Sequence, residues 1–251
     1  MAHLSEVVNY IDRYLRIAEF GDSPNALNGL QVENSGRVTR IAAAVDASTR
    51  TLEDAARKGA NLLILHHGLF WKGLQPITGI LGRQVRIAFE HDIAVYGAHL
   101  PLDAHPVVGN NARLAAAIGL KSLKPFLEYQ GRCIGLQGTW SGSREQLLRK
   151  TETALGGPVK SFDFGPPKPK KIAVVTGGAG SDIHRVGAAG IDTYITGEAP
   201  HWAGVAAAEL EMNLFLGGHY ATETFGVKAM SAHLSKKFSL PWDFIDFPTG
   251  L

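Results

Sequence analysis

The sequence predicts an α/β protein with two α/β lobes built on mainly parallel or mixed sheets. Short apolar runs typical of buried strands alternate with helical stretches along nearly the whole 251-residue chain. The stretch GPPKPKK, with three prolines in seven residues, is typical of a turn or short linker. We assign the first lobe to residues 1–125 plus about 217–251, and the second to about 126–216.

The first lobe alternates strands and helices in the order expected of β-α-β units. Apolar residues at a spacing of three to four, between Leu4 and Ile17, predict a first helix after a possible cap at Ser5, followed by a turn-rich connection. A helix capped by Ser48 or Thr49 and ended by Gly59 then separates two apolar strands, in a parallel and right-handed unit. The predicted strands of this lobe are RIAAAVDAS, NLLILHH and IAVYGAH. Two further helices are predicted, one near residues 81–91 and one across NNARLAAAIGL.

The second lobe begins where this alternation breaks, around residues 119–125. Its predicted elements are the strands RCIGLQGTW, PVKSFDFG, KIAVVTGG, DTYITGE and NLFLGG, and helices across SREQLLRKTETALGG and HWAGVAAAEL. A helix from about 221 to 237 and a last strand in LPWDFIDFP then return the chain to the first lobe.

The overall composition excludes several classes of protein. The formal net charge is only +2, which gives no strong electrostatic attraction to nucleic acid or to a membrane surface. A single cysteine, Cys133, excludes an internal disulfide framework. The N-terminus has no apolar core typical of a secretory signal, and no apolar run approaches the roughly 20 residues that span a bilayer. We therefore expect a cytoplasmic protein without a membrane or nucleic-acid partner.

Four predicted strands are followed by side chains that can bind metal ions. These side chains are His66 with His67, His99 with Asp103, Glu198 with His201, and His219 with Glu223. Functional groups in α/β proteins gather beyond the carboxyl ends of the strands. The sequence therefore predicts a metal site at these ends, in the cleft between the lobes.

The spacing of these residues favours two ions over one. Adjacent side chains on a regular strand face opposite ways, so His66 and His67 reach different ions unless the backbone bends. His219 and Glu223 are four residues apart at the start of a helix, and this spacing places both on one helical face. Asp103 supplies a carboxylate for one ion, and Glu223 can bridge the two.

Three further residues near the predicted site have several possible roles. His99, Glu198 and His201 can orient the metal ligands, contact substrate or donate protons. We assign His99 and His201 to proton transfer, together with Glu223 as a catalytic residue.

Other features of the predicted site have a simpler structural alternative. The loop TGGAGSD can bind an anion or serve as a strand-to-helix turn. Asp46, at the end of a strand, can cap the following helix. Trp71, Phe70 and Trp202 can line a pocket, although core packing is the stronger expectation.

Five motifs, taken in order, closely resemble the Nif three-like dinuclear metal proteins, also called GTP cyclohydrolase type-two homologs. These motifs are HHGLFWKG, GAHLPLDAHPVVGNNARLA, TGGAGSD, TGEAPHWA and GGHYATETFGV. The resemblance covers essentially the whole chain, including SPNALNGLQVEN, and matches the short bacterial form of the family.

The resemblance implies two divalent metal ions per chain. By motif, His66 and His67 would each bind one ion, and Glu223 would bridge the two ions. Asp103 and His219 would each complete the ligand set of a different ion. Zinc, iron and manganese are the candidates, because the mixed nitrogen and oxygen ligands disfavour magnesium. The resemblance also implies a ring-like homohexamer with an internal cavity.

The functional hypothesis is metal-assisted hydrolysis by a metal-bound hydroxide. The family label suggests GTP or another nucleotide as the small-molecule substrate. The alternative class is a non-catalytic protein: a metal-binding scaffold, a metal chaperone or insertase, or a regulatory interaction protein. Nucleic-acid binding is a weaker third hypothesis, because the near-neutral charge disfavours contact with phosphate backbones.

Overall fold

The computed structural model describes residues 1–71, 73 and 75–250 and divides the chain into two compact units. The first contains Met1–Gly109 and Gly226–Phe247, and the main segment of the second is Asn110–Phe225. The first limit differs from 125 because the helix at 110–118 packs its apolar side chains into the core of the second unit, and the second differs from 217 because Phe225 packs against the same core. Both units combine helices with a mixed sheet, which confirms the predicted α/β class.

The first unit contains the elements that precede residue 110 and the end of the chain. Its strands are β1 (Ala2–His3), β2 (Gly29–Val32), β3 (Arg37–Val38), β4 (Ile41–Asp46), β5 (Leu62–His67), β6 (Ala94–Gly97) and β13 (Trp242–Phe244). Its helices are α1 (Leu4–Leu15), α2 (Thr49–Arg57), α3 (Gly79–Glu90), the short α4 (Leu100–Asp103) and most of α9 (His219–Phe238), with a 3₁₀ turn at Ile17–Glu19.

The central sheet of the first unit has the strand order β13-β4-β5-β6-β2. Its strands run parallel except for β2, which pairs antiparallel with β6. The apolar residues of β4 and β5 are buried, as expected for strands covered on both faces. The parallel register places Asp46 opposite His67, so the carboxyl ends of β4 and β5 bring an acid and an imidazole side by side.

The second unit has its own six-stranded sheet, in the order β7-β8-β10-β11-β12-β9. Strands β10, β11 and β12 are parallel, and the other pairs are antiparallel. The strands are β7 (Lys121–Tyr129), β8 (Arg132–Thr139), β9 (Lys160–Asp163), β10 (Lys171–Val175), β11 (Thr193–Thr196) and β12 (Asn213–Leu216). The helices are α5 (Asn110–Ile118), α6 (Arg144–Leu155), α7 (Ile183–Ala188) and α8 (His201–Glu209), with a 3₁₀ turn at Ala179–Asp182 and the first residues of α9.

Helix capping agrees with the sequence at two places. The Ser48 side chain accepts a hydrogen bond from the Thr51 N–H at the start of α2. Ser143 and Gln146 form a reciprocal capping box at the start of α6. Among the described residues, no helix combines the length and the apolar character needed to cross a membrane.

Candidate metal centre

Three imidazoles meet at the carboxyl ends of two neighbouring strands in the first unit. His66 and His67 end β5, and His99 follows β6 and precedes α4. The ring centroid of His66 lies 4.7 Å from that of His67 and 5.0 Å from that of His99. One nitrogen of each ring lies within 4.8 Å of the corresponding nitrogens of the other two. The predicted clustering of these histidines is therefore present within this unit.

Each of these rings is held by a hydrogen bond from its Nδ1. The acceptors are the Ala98 carbonyl for His66 at 2.9 Å, the Asp46 Oδ1 for His67 at 2.8 Å, and the Asp22 Oδ1 for His99 at 2.7 Å. A neutral imidazole that donates from Nδ1 carries its lone pair on Nε2. Metal-binding histidines are oriented by this kind of hydrogen bond, so the arrangement prepares three Nε2 atoms to bind a metal.

Asp22 organises the segment that precedes β2. Its carboxylate accepts hydrogen bonds from Asn28 Nδ2 and from the backbone N–H groups of Ser23 and Leu100. Burial raises the pKa of the Asp22 carboxyl, but the hydrogen bond and charge of His99 outweigh this effect and lower the pKa overall. Asp22 therefore stays ionised and fixes the His99 ring. Neither Asp22 nor the pairing of Asp46 with His67 was predicted from the sequence.

Asp103 adds a carboxylate to the same cluster. It is the last residue of α4 and is only 5% exposed. Its Oδ2 lies 3.5 Å from the Nε2 of His66, the nitrogen that the Ala98 carbonyl leaves available as an acceptor. The first unit therefore combines a buried carboxylate with three imidazoles, as the sequence predicted.

The second unit contributes a different pair of candidate ligands at the start of α9. The Nε2 of His219 lies 3.2 Å from the Oε2 of Glu223, which confirms that the two share one helical face. The Nδ1 of His219 donates to Glu198 Oε1 at 3.0 Å, so Glu198 orients this ring. Burial lowers the pKa of His219, but the hydrogen bonds and charges of Glu223 and Glu198 raise it to about 9 overall.

The loop TGGAGSD packs against this pair and contains a 3₁₀ turn at Ala179–Asp182. Gly177 has φ +71°, and a Cβ at this position would lie 2.1 Å from the Oε1 of Glu223. The Gly177 N–H donates to Thr222 Oγ1, and its carbonyl accepts from the N–H groups of Gly197 and Glu198. The glycine thus lets the backbone lie directly against the buried Glu223 carboxylate.

The remaining candidates lie elsewhere or have other contacts. His201 begins α8 and is exposed, and it belongs to none of the metal-competent groups among the described residues. Trp202 is 45% exposed and stacks on His184, so it is not a core residue. Phe70 packs against the core of the first unit, as expected.

The donor atoms of both units suit a divalent transition metal. Imidazole nitrogen together with carboxylate oxygen matches the preferences of zinc, iron and manganese. Buried Asp103 and Glu223 supply negative charge that a cation would balance. The residues present in each unit therefore fit a divalent metal ion.

A comparison with known protein families identifies the family of this chain. The sequence profile described as Duf34/NIF3 (NGG1p interacting factor 3) matches residues 2–249. The chain belongs to the DUF34/NIF3 family. This membership confirms the resemblance seen in the five motifs.

Curated relatives and solved structures agree with this assignment. A protein of Deinococcus radiodurans named GTP cyclohydrolase 1 type 2 homolog is 41% identical over 98% of this chain and 94% of its own length. A Pyrococcus horikoshii protein of the same name is 41% identical over 98% of each chain. A crystal structure of a Thermus thermophilus protein matches with a TM-score of 0.91 and 38% identity, over 100% of both chains.

Proposed function

We propose that this DUF34/NIF3 protein binds two divalent metal ions and is a metal-dependent hydrolase of a nucleotide or a related small molecule. The proposed ligands are His66, His67, Asp103, His219 and Glu223, with Glu223 shared by the two ions. Zinc, iron and manganese are the candidate ions. The observation that carries the metal proposal is the anchoring of every histidine in this set through Nδ1.

Two divalent ions held by these residues would supply hydrolytic chemistry, because they would acidify a water and neutralise the charge that develops on the attacked group. The hydrolase proposal is further supported by the name of the curated relatives, which are called GTP cyclohydrolase 1 type 2 homologs. A cyclohydrolase-like reaction, in which a ring amidine or amide is opened by water, is the specific reaction that we propose.

His99 is the residue that we propose for proton transfer. Its Nδ1 donates a 2.7 Å hydrogen bond to Asp22, an ionised carboxylate that fixes the orientation of the ring. The ring can therefore accept and release a proton at Nε2 without reorienting, next to His66 and His67. The geometry lends less support to proton transfer by His201, which is exposed and belongs to none of the groups that could hold a metal among the described residues.

One observation favours metal delivery as a second candidate function. The His219 side chain is 29% exposed and Glu198 is 49% exposed, in contrast to the buried His66 and Asp103. A partly exposed ligand such as His219, oriented by a carboxylate that is itself exposed, is what a metal chaperone or insertase needs in order to pass an ion to a client.

Turnover by metal-loaded protein separates the two functions. We expect protein reconstituted with zinc, iron or manganese to hydrolyse at least one purine nucleotide in a broad substrate screen, and Glu223→Gln to abolish this activity. The hydrolase proposal fails if every loaded form is inert while the bound metal transfers to an apo-acceptor protein.

The homohexamer implied by the family resemblance also stays a proposal. Light scattering coupled to size-exclusion chromatography tests it directly. A mass near six times 26.9 kDa is expected, and a stable monomer would contradict it.

A further inference from the structure

Trp71 packs directly against two imidazoles of the first unit. Its indole ring centroid lies 4.8 Å from that of His67, with the planes tilted by 60°. It lies 4.7 Å from the ring centroid of His99, in an edge-to-face arrangement at 76°. Both imidazoles are anchored through Nδ1, so the indole rests on a fixed surface.

The same side chain remains partly open to solvent. Trp71 is 38% exposed, whereas Leu69, two residues earlier, is 6% exposed and belongs to the core. A tryptophan offers one of the largest apolar surfaces of any side chain, and leaving it in water forgoes the benefit of burial. Core packing therefore does not explain Trp71, although the sequence favoured that explanation. Ligand sites are lined by aromatic side chains together with a few polar groups, and Trp71 with the imidazoles beside it offers this combination.

The chemistry of this surface selects a class of ligand. The indole offers a flat π-system, and the imidazoles and carboxylates beside it are the proposed metal-binding groups. A ligand that matches both parts has a planar heteroaromatic ring joined to a group that metal ions attract. Nucleotides have this combination, because their bases stack on aromatic side chains and their phosphates are anionic.

We infer that Trp71 is the base-stacking residue of this protein, holding a purine ring against the exposed part of its indole beside His67 and His99. The inference rests on the proposed function, in that it places the substrate at the proposed metal site. It also narrows the substrate class from nucleotides and related small molecules to nucleotides. Because stacking uses the π-face that every base has, guanine and adenine nucleotides bind with similar affinity, and discrimination between them does not come from Trp71.

The test compares a ligand with a base and a ligand without one. Zinc-reconstituted full-length protein is titrated calorimetrically with GMP, AMP and ribose 5-phosphate. We expect GMP and AMP to bind about tenfold more tightly than ribose 5-phosphate, which corresponds to the contribution of one stacked base. Equal affinities for GMP and ribose 5-phosphate, or no binding of GMP, would overturn the inference.

Three variants assign the effect to the indole. Trp71→Leu is expected to weaken GMP about tenfold and to leave ribose 5-phosphate unchanged, while Trp71→Phe keeps most of the GMP affinity. Trp202→Leu, at an exposed tryptophan outside the imidazole cluster, is the matched control and is expected to bind like wild type. If Trp71→Leu weakens both ligands equally, the indole only supports the imidazoles and the stacking inference is wrong.

Fluorescence and metal analysis separate this inference from the hydrolase proposal. The chain has four tryptophans, and all of them contribute to the fluorescence. The part of the GMP-dependent quenching that disappears in Trp71→Phe is therefore the part that comes from Trp71. GMP-dependent quenching in a protein that holds two divalent ions per chain, without turnover of any nucleotide, would refute the hydrolase and keep the stacking site. Turnover of a nucleotide with an unchanged KM in Trp71→Leu would refute the stacking site and keep the hydrolase.

Discussion

The two units present their candidate ligands in different ways. In the first unit, His66, His67 and His99 come from the ends of two parallel strands, and three different acceptors hold their rings. In the second unit, His219 and Glu223 share one face of a helix, and a single carboxylate, Glu198, orients the ring. The difference shows that ligands at strand ends are oriented by acceptors from several backbone segments, whereas the helical pair depends on one orienting carboxylate. We therefore expect the second unit to be more sensitive to a single substitution.

Removal of a ligand ring is expected to have the largest effect. His219→Ala deletes the only imidazole of the helical pair and should lower metal affinity by more than about 100-fold, beyond the loss typical of a supporting residue. His67→Ala leaves His66, His99 and Asp103 in the first unit and should retain more metal. Competition with a chelator measures both affinities. His184→Ala is the matched control, and a larger loss in His67→Ala than in His219→Ala would break the comparison.

Removal of a supporting carboxylate ranks second. Asp46→Ala and Glu198→Ala each release one Nδ1 hydrogen bond, and we expect metal affinity to fall by about 10- to 100-fold, with Glu198→Ala the larger. The control is Asp243→Ala, which removes an acid that pairs with Arg40 and Lys58 instead of a histidine. The interpretation of these carboxylates is wrong if all three variants bind metal equally well.

A matched pair of glycines tests the packing of the backbone against Glu223. Gly177 and Gly190 have similar φ angles of +71° and +73°, so an alanine strains the backbone by about 1–2 kcal/mol at either position. Only at Gly177 does the added Cβ collide with the Glu223 carboxylate. Both variants should lower the free energy of unfolding, and only Gly177→Ala should also weaken metal binding. Equal metal affinity in the two variants would contradict this account.

The smallest expected effect is a pH dependence of the metal-free protein. The pKa of His219 is raised from 6.5 to about 9, against the lowering effect of burial, by Glu223 and Glu198. The stability from the imidazolium form is therefore complete below about pH 6.5 and is lost as the pH rises through about 9. Relative to His219→Gln, the free energy of unfolding of wild type should fall across this range. Parallel pH profiles for the two proteins would show that this pairing does not form.

The metal-competent strand ends could be predicted from the sequence because the signal is local. The run NLLILHH joins a buried strand directly to two imidazoles, and NLFLGG precedes the i, i+4 pair His219 and Glu223 in the same way. Apolar runs predict which segments are strands. The parallel arrangement then predicts that the carboxyl ends of these strands, with the residues that follow them, lie at the same edge of the sheet.

The supporting residues could not be predicted because their signal is not local. Asp22 lies in a turn-rich segment, 77 residues before the His99 ring that it holds. Asp46 is recognisable from the sequence as a residue at a strand end, with helix capping as the alternative, but its pairing with His67 follows only from the parallel register of the two strands. Glu198 was recognised as a possible orienting group, and the structure shows it in that role.

Strand β7 was missed for a different reason. Its sequence KSLKPFLEY contains a proline, and Ser122 and Leu127 adopt positive φ angles, so the segment lacks the regular alternation of a strand. It is tolerated because β7 is the edge strand of its sheet, where the missing N–H of proline costs least.

The metal content of the purified, reconstituted protein tests the central claim most directly. Elemental analysis should find close to two divalent ions per chain in wild type, and far fewer in the His66→Ala/His219→Ala double variant, which removes one imidazole from each unit. A double variant that still holds two ions per chain would contradict the assignment of these histidines as metal ligands.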